Sequence, residues 1–206
     1  MINEGPVGVQ ALTDGVIAKG RYGKSGEAMV SGLNARYYEM CRTGNLYCSY
    51  VATVATSLAA TATIGNMVWN PAGSGVRIYL TKWTSQIVAT SATCTGIAIA
   101  IGFHSTTPTT TTGSTFSGRL DVQSTVAQTG KGISYSIATV LTAPLTAVVL
   151  HHNTAAIATT GEDINSGDLE GSIVLEPGGF ATMCALGAAA AASAHTSSLM
   201  WVEVPL

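Results

Sequence analysis

Charged residues are scarce in this 206-residue chain, where they make up 10 % of the sequence against roughly a quarter in typical soluble proteins. The mean hydropathy is +0.35. No run of roughly eighteen uncharged apolar residues is present, so the sequence predicts no transmembrane helix and no membrane partner. We therefore expect a protein that buries much of its surface against neighbouring subunits, as a homo-oligomer does.

Basic residues are absent from residues 132–206, which hold six acidic residues and have a net charge of −6. Residues 1–131 hold all nine Lys and Arg residues and five acidic ones, a net charge of +4. Such a split can orient subunits head to tail or dock a basic segment on an acidic surface. The positive charge is too weak for a nucleic-acid-binding surface, so we expect no nucleic-acid partner.

Targeting and cysteine motifs are also missing. The N-terminus lacks a basic stretch followed by an apolar one, so no secretion signal is expected. The four cysteines form no C-x-x-C pair. We expect buried thiols in a protein assembled in a reducing cytoplasm, although an even number of cysteines leaves a disulfide open.

No motif of an enzyme or of a cofactor site stands out. Gly23-Lys24-Ser25 resembles the end of a phosphate-binding loop, but Ala18 occupies the position of the required first glycine. The acidic stretch 161–170 resembles a calcium loop, but Val174 stands where the bidentate Glu belongs, which favours a solvated acidic loop. His151-His152 on a strand would point to opposite faces. We therefore predict no enzyme, no cofactor and no metal.

Residues 66–83 carry the clearest structural signal that is present. Asn70 and Pro71 begin a turn, because Pro holds φ near the value required at the second turn position. Gly73 and Gly75 supply whatever positive φ the turn requires. These four residues are the predicted structural turn.

Alternating apolar residues follow the turn, with Val76, Ile78 and Leu80 separated by more polar residues. This period of two is typical of a half-buried strand. Together with the residues before the turn, it predicts a β-hairpin with one apolar face and one solvent-facing side. The alternation breaks at Lys82 and Trp83, where we expect the strand to end or to bulge.

Segments of the same kind recur about every ten residues, separated by Gly- and Pro-containing turns, and no useful helix-period segment is present. A Thr-rich stretch, residues 104–115, is predicted to be a loop. In residues 97–102, isoleucines alternate with small residues, which suits close sheet packing or a subunit contact. The predicted fold is an all-β antiparallel sandwich over residues 46–206, with jelly roll as the favoured topology. Residues 1–45 are predicted to form an extended N-terminal arm with the first short strands.

Four segments resemble small structural proteins of tailed-bacteriophage virions. They are Gly20-Arg21-Tyr22-Gly23-Lys24-Ser25-Gly26-Glu27, Ala35-Arg36-Tyr37-Tyr38-Glu39 with Arg42-Thr43-Gly44-Asn45, Trp69-Asn70-Pro71-Ala72-Gly73-Ser74-Gly75, and Met200-Trp201-Val202-Glu203-Val204-Pro205-Leu206. They are turn and strand-end signatures, and together they frame nearly the whole length. In size and composition the chain is most similar to jelly-roll capsid cement (decoration) proteins.

The resemblance implies a virion protein on the capsid surface, assembled in the host cytoplasm. It implies a homotrimer that binds the major capsid protein and locks neighbouring capsid subunits. Because the Gly-rich arm is basic, we expect it to grip the capsid or another subunit. The predicted contact residues are Lys19, Arg21, Tyr22, Lys24, Arg36, Tyr37 and Arg42.

A second function from another class is a receptor- or glycan-binding β-sandwich of a phage tail or head fibre. The Thr-rich stretch and the aromatic residues Trp69, Trp83 and Trp201, together with the Tyr37-Tyr38 pair, would serve it as a binding platform. Large aromatic residues on strands are more often part of a core.

Overall fold

The structure, a computed structural model, describes residues 37, 40–41, 43–55, 57–59, 62–89, 96–120, 130–152, 164–186 and 194–206. The chain divides into two compact units, Met1–Glu39 and Met40–Leu206. The first unit, apart from Tyr37, lies outside the described residues. Of the arm predicted over residues 1–45, the structure describes residues 37, 40–41 and 43–45. Met40 and Cys41 lie in a helical turn, so the first short strands predicted for this segment do not include them.

Twelve strands follow in the described part of the second unit. They are β1 Leu46–Ala55, β2 Ser57–Ala59, β3 Ala62–Trp69, β4 Val76–Ala89, β5 Gly96–Phe103, β6 Thr109–Gly113, β7 Phe116–Arg119, β8 Ile133–Thr139, β9 Leu145–His152, β10 Ile164–Leu175, β11 Gly179–Leu186 and β12 Ala194–Pro205.

The strands form two antiparallel sheets, which confirms the predicted all-β sandwich. The first sheet has the strand order β10-β4-β12-β1-β7. The second has the order β6-β8-β3-β11-β5-β9, with β2 paired to β3. Consecutive strands mostly alternate between the two sheets, so the chain wraps around the core, and β2 with β3 forms a local hairpin.

Eight of the strands pair in a nested order. β1 pairs with β12, β3 with β11, β4 with β10, and β5 with β9, all antiparallel. The remaining strands extend this framework: β6 and β8 continue the second sheet beyond β3, and β7 continues the first beyond β1.

The main core lies between the two sheets. Each large apolar side chain that is fully buried there contributes about 1.5–3 kcal/mol of stability. The core residues are Tyr47, Val68, Val76, Ile78, Leu80, Trp83, Ile97, Ile99, Leu169, Ile173, Leu175, Ala181, Met183, Leu199 and Trp201.

One polar bridge crosses this core. Asn66 on β3 accepts a hydrogen bond from the Ser49 hydroxyl on β1 (2.7 Å) and donates to the Ser197 carbonyl oxygen on β12 (3.2 Å). All three residues are buried. Because a buried polar group costs free energy unless it is paired, this bridge favours one alignment of the two sheets.

The outer face of the second sheet is also buried. Met67, Trp69 and Phe180 form a second cluster there with Val140, which follows β8 directly. Gly102 lies under the Phe180 ring, where a Cβ would be 2.6 Å from Cζ. The small-residue face of β5 therefore serves close packing within the chain, as one of the two predicted alternatives had it.

The predicted β-hairpin at residues 66–83 is wrong. β3 belongs to the second sheet and β4 to the first, so the turn between them crosses the sandwich. The half of β3 next to the turn also lacks a solvent-facing side, since residues 65–69 are all buried. Alternation reports that a strand has a buried face, but it does not report which strand is its partner.

The predicted break at Lys82 and Trp83 is confirmed as a bulge. The pairing of β12 with β4 shifts between Met200 opposite Lys82 and Trp201 opposite Leu80. The extra residue lets Trp83 face the core while Lys82 points outward, and β4 continues to Ala89.

The Thr-rich stretch is not all loop, because residues 109–113 form β6. Every side of this strand is exposed, which is why it carries no apolar residue and no strand pattern in the sequence. Three residues on, β7 begins in the other sheet, so this segment also crosses the edge of the sandwich.

Candidate functional site

Two turns cross between the sheets side by side at one end of the sandwich, which we call the arch end. Residues 70–75 join β3 to β4, and residues 176–178 join β10 to β11. The turns are neighbours because β3 pairs with β11 and β4 pairs with β10. The arch end is therefore built by four strands acting in pairs.

Asn70 ties the two turns together. Its backbone N–H donates to the Gly179 carbonyl (2.8 Å), and its own carbonyl accepts from the Gly178 N–H (2.6 Å). Its side-chain amide donates to the carbonyls of Val76 (2.8 Å) and Leu175 (2.9 Å). The residue is fully buried, so its four hydrogen bonds hold the two turns together away from solvent.

The two turn glycines adopt the positive φ that the sequence predicts. Gly73 has a φ of 78° and Gly75 a φ of 75°. The Ser74 N–H donates to the Pro71 carbonyl (3.0 Å), which closes the first part of the turn. The four predicted turn residues thus lie together at the arch end.

His104 connects the end of β5 to the same turns. Its backbone N–H donates to the Gly178 carbonyl (2.7 Å), and its carbonyl accepts from Trp69 Nε1 (3.0 Å). The imidazole is buried, lies edge-on to the Trp69 ring, and contacts the Thr106 carbonyl through Nδ1. These contacts give the histidine a structural role.

Glu203 is a buried carboxylate that holds the loop before β8. It accepts hydrogen bonds from the N–H groups of Lys131 (2.9 Å) and Gly132 (2.8 Å) and from Trp201 Nε1 (3.2 Å). The loop passes so close that a Cβ on Gly132 would be 2.7 Å from Ile78 Cδ1. Three donors satisfy the carboxylate, so it anchors the loop and is poorly placed to act as a base.

We call Glu203 and the backbone of Lys131 and Gly132 that it holds the Glu203 clamp. A cleft of about 380 Å³ opens beside it. Its walls combine a few apolar residues with an amide, an ammonium group and the anchored carboxylate. Tyr47, one of the walls, stacks on Trp201 with ring centroids 5.9 Å apart. The residues that line it are Asn45, Tyr47, Val76, Gly130, Lys131, Glu203 and Pro205.

Large apolar side chains are exposed around the arch end, and we call this group the apolar rim. It consists of Phe103, Ile133, Leu145 and Leu206, which are 60 %, 40 %, 75 % and 65 % exposed. Phe103 pairs with Gly179, Ile133 with Trp69, and the Leu206 N–H donates to the Gly75 carbonyl. An exposed set of this kind on a rigid scaffold is typical of a contact surface.

Most of the predicted contact residues lie outside the described residues, namely Lys19, Arg21, Tyr22, Lys24, Arg36 and Arg42. The exception is Tyr37, which lies in a turn and is half-buried. The capsid contact assigned to these residues therefore stays a prediction.

Sequence reasoning missed the rim and the Glu203 clamp. Phe103, Leu145 and Leu206 sit on or beside strands, where an apolar residue is read as core. Glu203 was visible as the lone acidic residue of the last strand, and its apolar neighbours were the available sign that it is buried.

The three tryptophans do not form an exposed platform. Trp69, Trp83 and Trp201 are all buried, as expected for large residues on strands. Within the described residues, no group of three His, Cys, Asp or Glu side chains is arranged to hold a metal ion. Across those same ranges, no helix is long and apolar enough to cross a membrane.

The described cysteines Cys41, Cys48 and Cys184 are free thiols, while Cys94 lies outside the described residues. Burial raises the pKa values of Cys48 and Cys184 to about 11, which keeps both thiols protonated and unreactive near neutral pH.

Comparison with known proteins adds no relative, because the chain matches no protein-family model, no curated protein and no solved structure.

Proposed function

We propose that this protein is a structural virion protein of a tailed bacteriophage, which binds the outer capsid surface and cements neighbouring capsid subunits. The observation that carries the docking part of the proposal is the apolar rim at the arch end. The virion context rests on the four sequence segments given above.

The nested strand pairing supports a jelly-roll topology. In a jelly roll, eight strands wrap so that the first pairs with the last and each inner strand pairs with its counterpart. The pairs β1–β12, β3–β11, β4–β10 and β5–β9 follow this rule, and β6 to β8 form an insertion between β5 and β9. The topology is common in viral capsid proteins.

The sheet edges favour docking by side chains over docking by strand addition. Three edge strands, β6, β9 and β10, carry register shifts in their pairing, and β7 is only four residues long. Bulged or short edges resist the addition of a foreign strand. A partner is therefore expected to contact the apolar rim through side chains. The predicted basic arm would add further contacts, and a trimer would bind through three copies of each contact.

The glycan-binding alternative is weakened by the position of the tryptophans. All three are buried, so they cannot stack on a sugar. The features that remain for it are the exposed Thr-rich strand β6 and the exposed aromatic residues Tyr50 and Phe116, which pair across β1 and β7.

Capsids assembled without the protein test the proposal. We expect the F103S/L145S double variant to bind such capsids at least about tenfold more weakly than wild type, because the loss of two exposed apolar contacts removes part of the interface. The matched control is Ile164→Ser on β10, since Ile164 is 74 % exposed away from the rim. Neither variant should change the melting temperature by more than a few degrees.

If the double variant still fills all its binding sites on the capsid, the apolar rim is not part of the contact surface. A truncation lacking residues 1–25, measured in the same assay, separates the arm from the rim. If neither change weakens binding, the contact surface lies elsewhere on the sandwich. Wild-type protein that does not bind these capsids would contradict the capsid role itself.

A further inference from the structure

His195 is buried on the inner face of β12 and is 2 % exposed. Neither ring nitrogen has a hydrogen-bond partner among the described residues. The Ser85 hydroxyl on β4 also has no hydrogen-bond partner among the described residues. Because Ser85 pairs with Ser197, it lies diagonally across the β4–β12 pair from His195. A buried imidazole without a partner is unusual and costly, so its surroundings decide what it can do.

The strand pairing is irregular on both sides of His195. Toward β4, the register shifts between Ala194 and His195. Toward β1, it shifts between Val51, opposite Ser197, and Val54, opposite His195. Bulges interrupt the hydrogen-bond ladder between strands. At His195, β12 is therefore irregularly bonded to both of its neighbours, β4 and β1.

No charged side chain of the same sheet faces His195 among the described residues. β1 contains no Asp, Glu, Lys or Arg. Arg77 and Lys82 of β4 alternate with core residues and point outward, and Asp168 and Glu170 of β10 are exposed. Arg119 of β7 pairs with Tyr47, seven residues along β1 from Val54, the partner of His195. Glu203 shares β12 but lies eight residues away at the arch end, about 26 Å along an extended strand.

The facing sheet offers no counter-charge either, as far as its strands are described. β3, β5 and β11 contain no Asp, Glu, Lys or Arg, and their inner faces carry apolar residues and Asn66. Cys184 of β11 clusters on the other face with Ala98 and Ala100. His151-His152 lie at the end of β9, the outer edge strand of that sheet. An imidazolium at position 195 would therefore be buried with no anion beside it among the described residues.

We propose that the end of the five-stranded sheet around His195 is an acid-sensitive opening, in which protonation of the imidazole separates residues 194–197 of β12 from β4 and β1 while the arch end stays closed. Local opening hydrates the charged ring and gives up only a few irregular strand pairs, so it costs less than global unfolding. The proposal rests on the surroundings of His195 and is independent of the proposed function.

The direction of the pH dependence follows from burial, which lowers the pKa of His195 from 6.5 to about 4. Because the closed form binds the proton more weakly than the open form, the closed form is fully favoured above pH 6.5. It loses stability as the pH falls toward 4. At pH 5 the opening equilibrium should be about 30-fold larger than at pH 7.5.

Native-state hydrogen exchange on the full chain at pH 7.5 and pH 5, corrected for intrinsic exchange rates, measures this opening. We expect protection of the amides at 195–197 to fall about 30-fold. At pH 5 the amides at 195–197 should be less protected than the arch-end amides of Asn70, His104 and Gly178, because the local opening costs less free energy than global unfolding. Equal protection factors at the two ends at pH 5, or no loss at 195–197, would overturn the proposal.

Variants separate His195 from a general acid effect. His195→Phe has a similar volume and no titrating group, so it should abolish the pH dependence at 195–197, whereas the control His104→Phe should retain it. If His195→Phe retains the acid-induced loss, the proposal is wrong. Should that variant fail to fold, a ring-proton titration of wild type by NMR decides, and a His195 pKa of 6 or higher contradicts the proposal.

Discussion

At the scale of single residues, buried polar side chains do most to align the two sheets. Asn66 joins β3 to β1 and β12 across the core, and Asn70 joins two turns through four hydrogen bonds. Apolar packing tolerates small shifts of one sheet over the other, but a buried hydrogen bond does not. Asn66 and Asn70 therefore select one arrangement of a core that many arrangements would bury equally well.

The turn glycines provide a test at this scale. Gly73→Val or Gly75→Val should each lower the free energy of unfolding by about 1–3 kcal/mol, because a β-branched residue is strained at positive φ. A clash with the described residues cannot contribute, since none of their atoms lies within 4 Å of the added Cβ at either position. Denaturant unfolding monitored by circular dichroism measures the loss.

Gly113→Val is the matched control. A Cβ added at Gly113 would also meet no described atom within 4 Å, but the φ of this residue is outside the left-handed region. We expect a change within about 0.5 kcal/mol, as for a surface substitution. Equal effects at positions 73 and 113 would show that the turn backbone is not the source of the strain.

At the scale of elements, the sequence predicted strands better than it predicted their partners. Val76, Ile78 and Leu80 marked a strand, and the change of parity at Lys82 marked a real bulge, because both are local properties of one strand. Pairing is a property of two distant segments, so the apparent hairpin was in fact a crossing between sheets. β6 escaped notice because every position on it is exposed.

The candidate site, like the strands, was predictable only where it depends on local sequence. Asn70, Pro71, Gly73 and Gly75 could be found because turn chemistry is local. The partners of Asn70, at positions 175–179, are about a hundred residues away in the chain. No local pattern in the sequence reports a contact of that range.

The clamp between β12 and the loop before β8 is testable as a unit. Glu203→Gln replaces one acceptor oxygen by a donor that faces backbone N–H groups, so it should lower the free energy of unfolding by about 1–3 kcal/mol. Hydrogen exchange should also show faster exchange of the Lys131 and Gly132 amides.

Glu176→Gln is the control for the loss of a carboxylate. Glu176 pairs with Arg77 at 2.8 Å, but both side chains are about half exposed. Exposed pairs contribute little, so we expect a change of less than about 0.5 kcal/mol. A larger effect for Glu176→Gln than for Glu203→Gln would contradict the clamp.

At the scale of the whole molecule, the two ends of the sandwich differ. The arch end is well hydrogen-bonded, whereas the opposite end holds His195, which is buried and has no hydrogen-bond partner among the described residues. The sheet edges are bulged or short, while large apolar side chains are exposed at the arch end. With 10 % charged residues, such a surface suits a subunit that works in contact with other proteins.

The central claim, that this protein is a capsid-binding structural subunit, is tested most directly by its copy number in purified virions, measured by quantitative mass spectrometry against the major capsid protein. The proposal predicts copies in a fixed ratio to the capsid subunits, on the scale of the capsid lattice, and a lower ratio for the F103S/L145S variant. A handful of copies per particle would indicate a fibre component, and absence from the virion would contradict the proposed function.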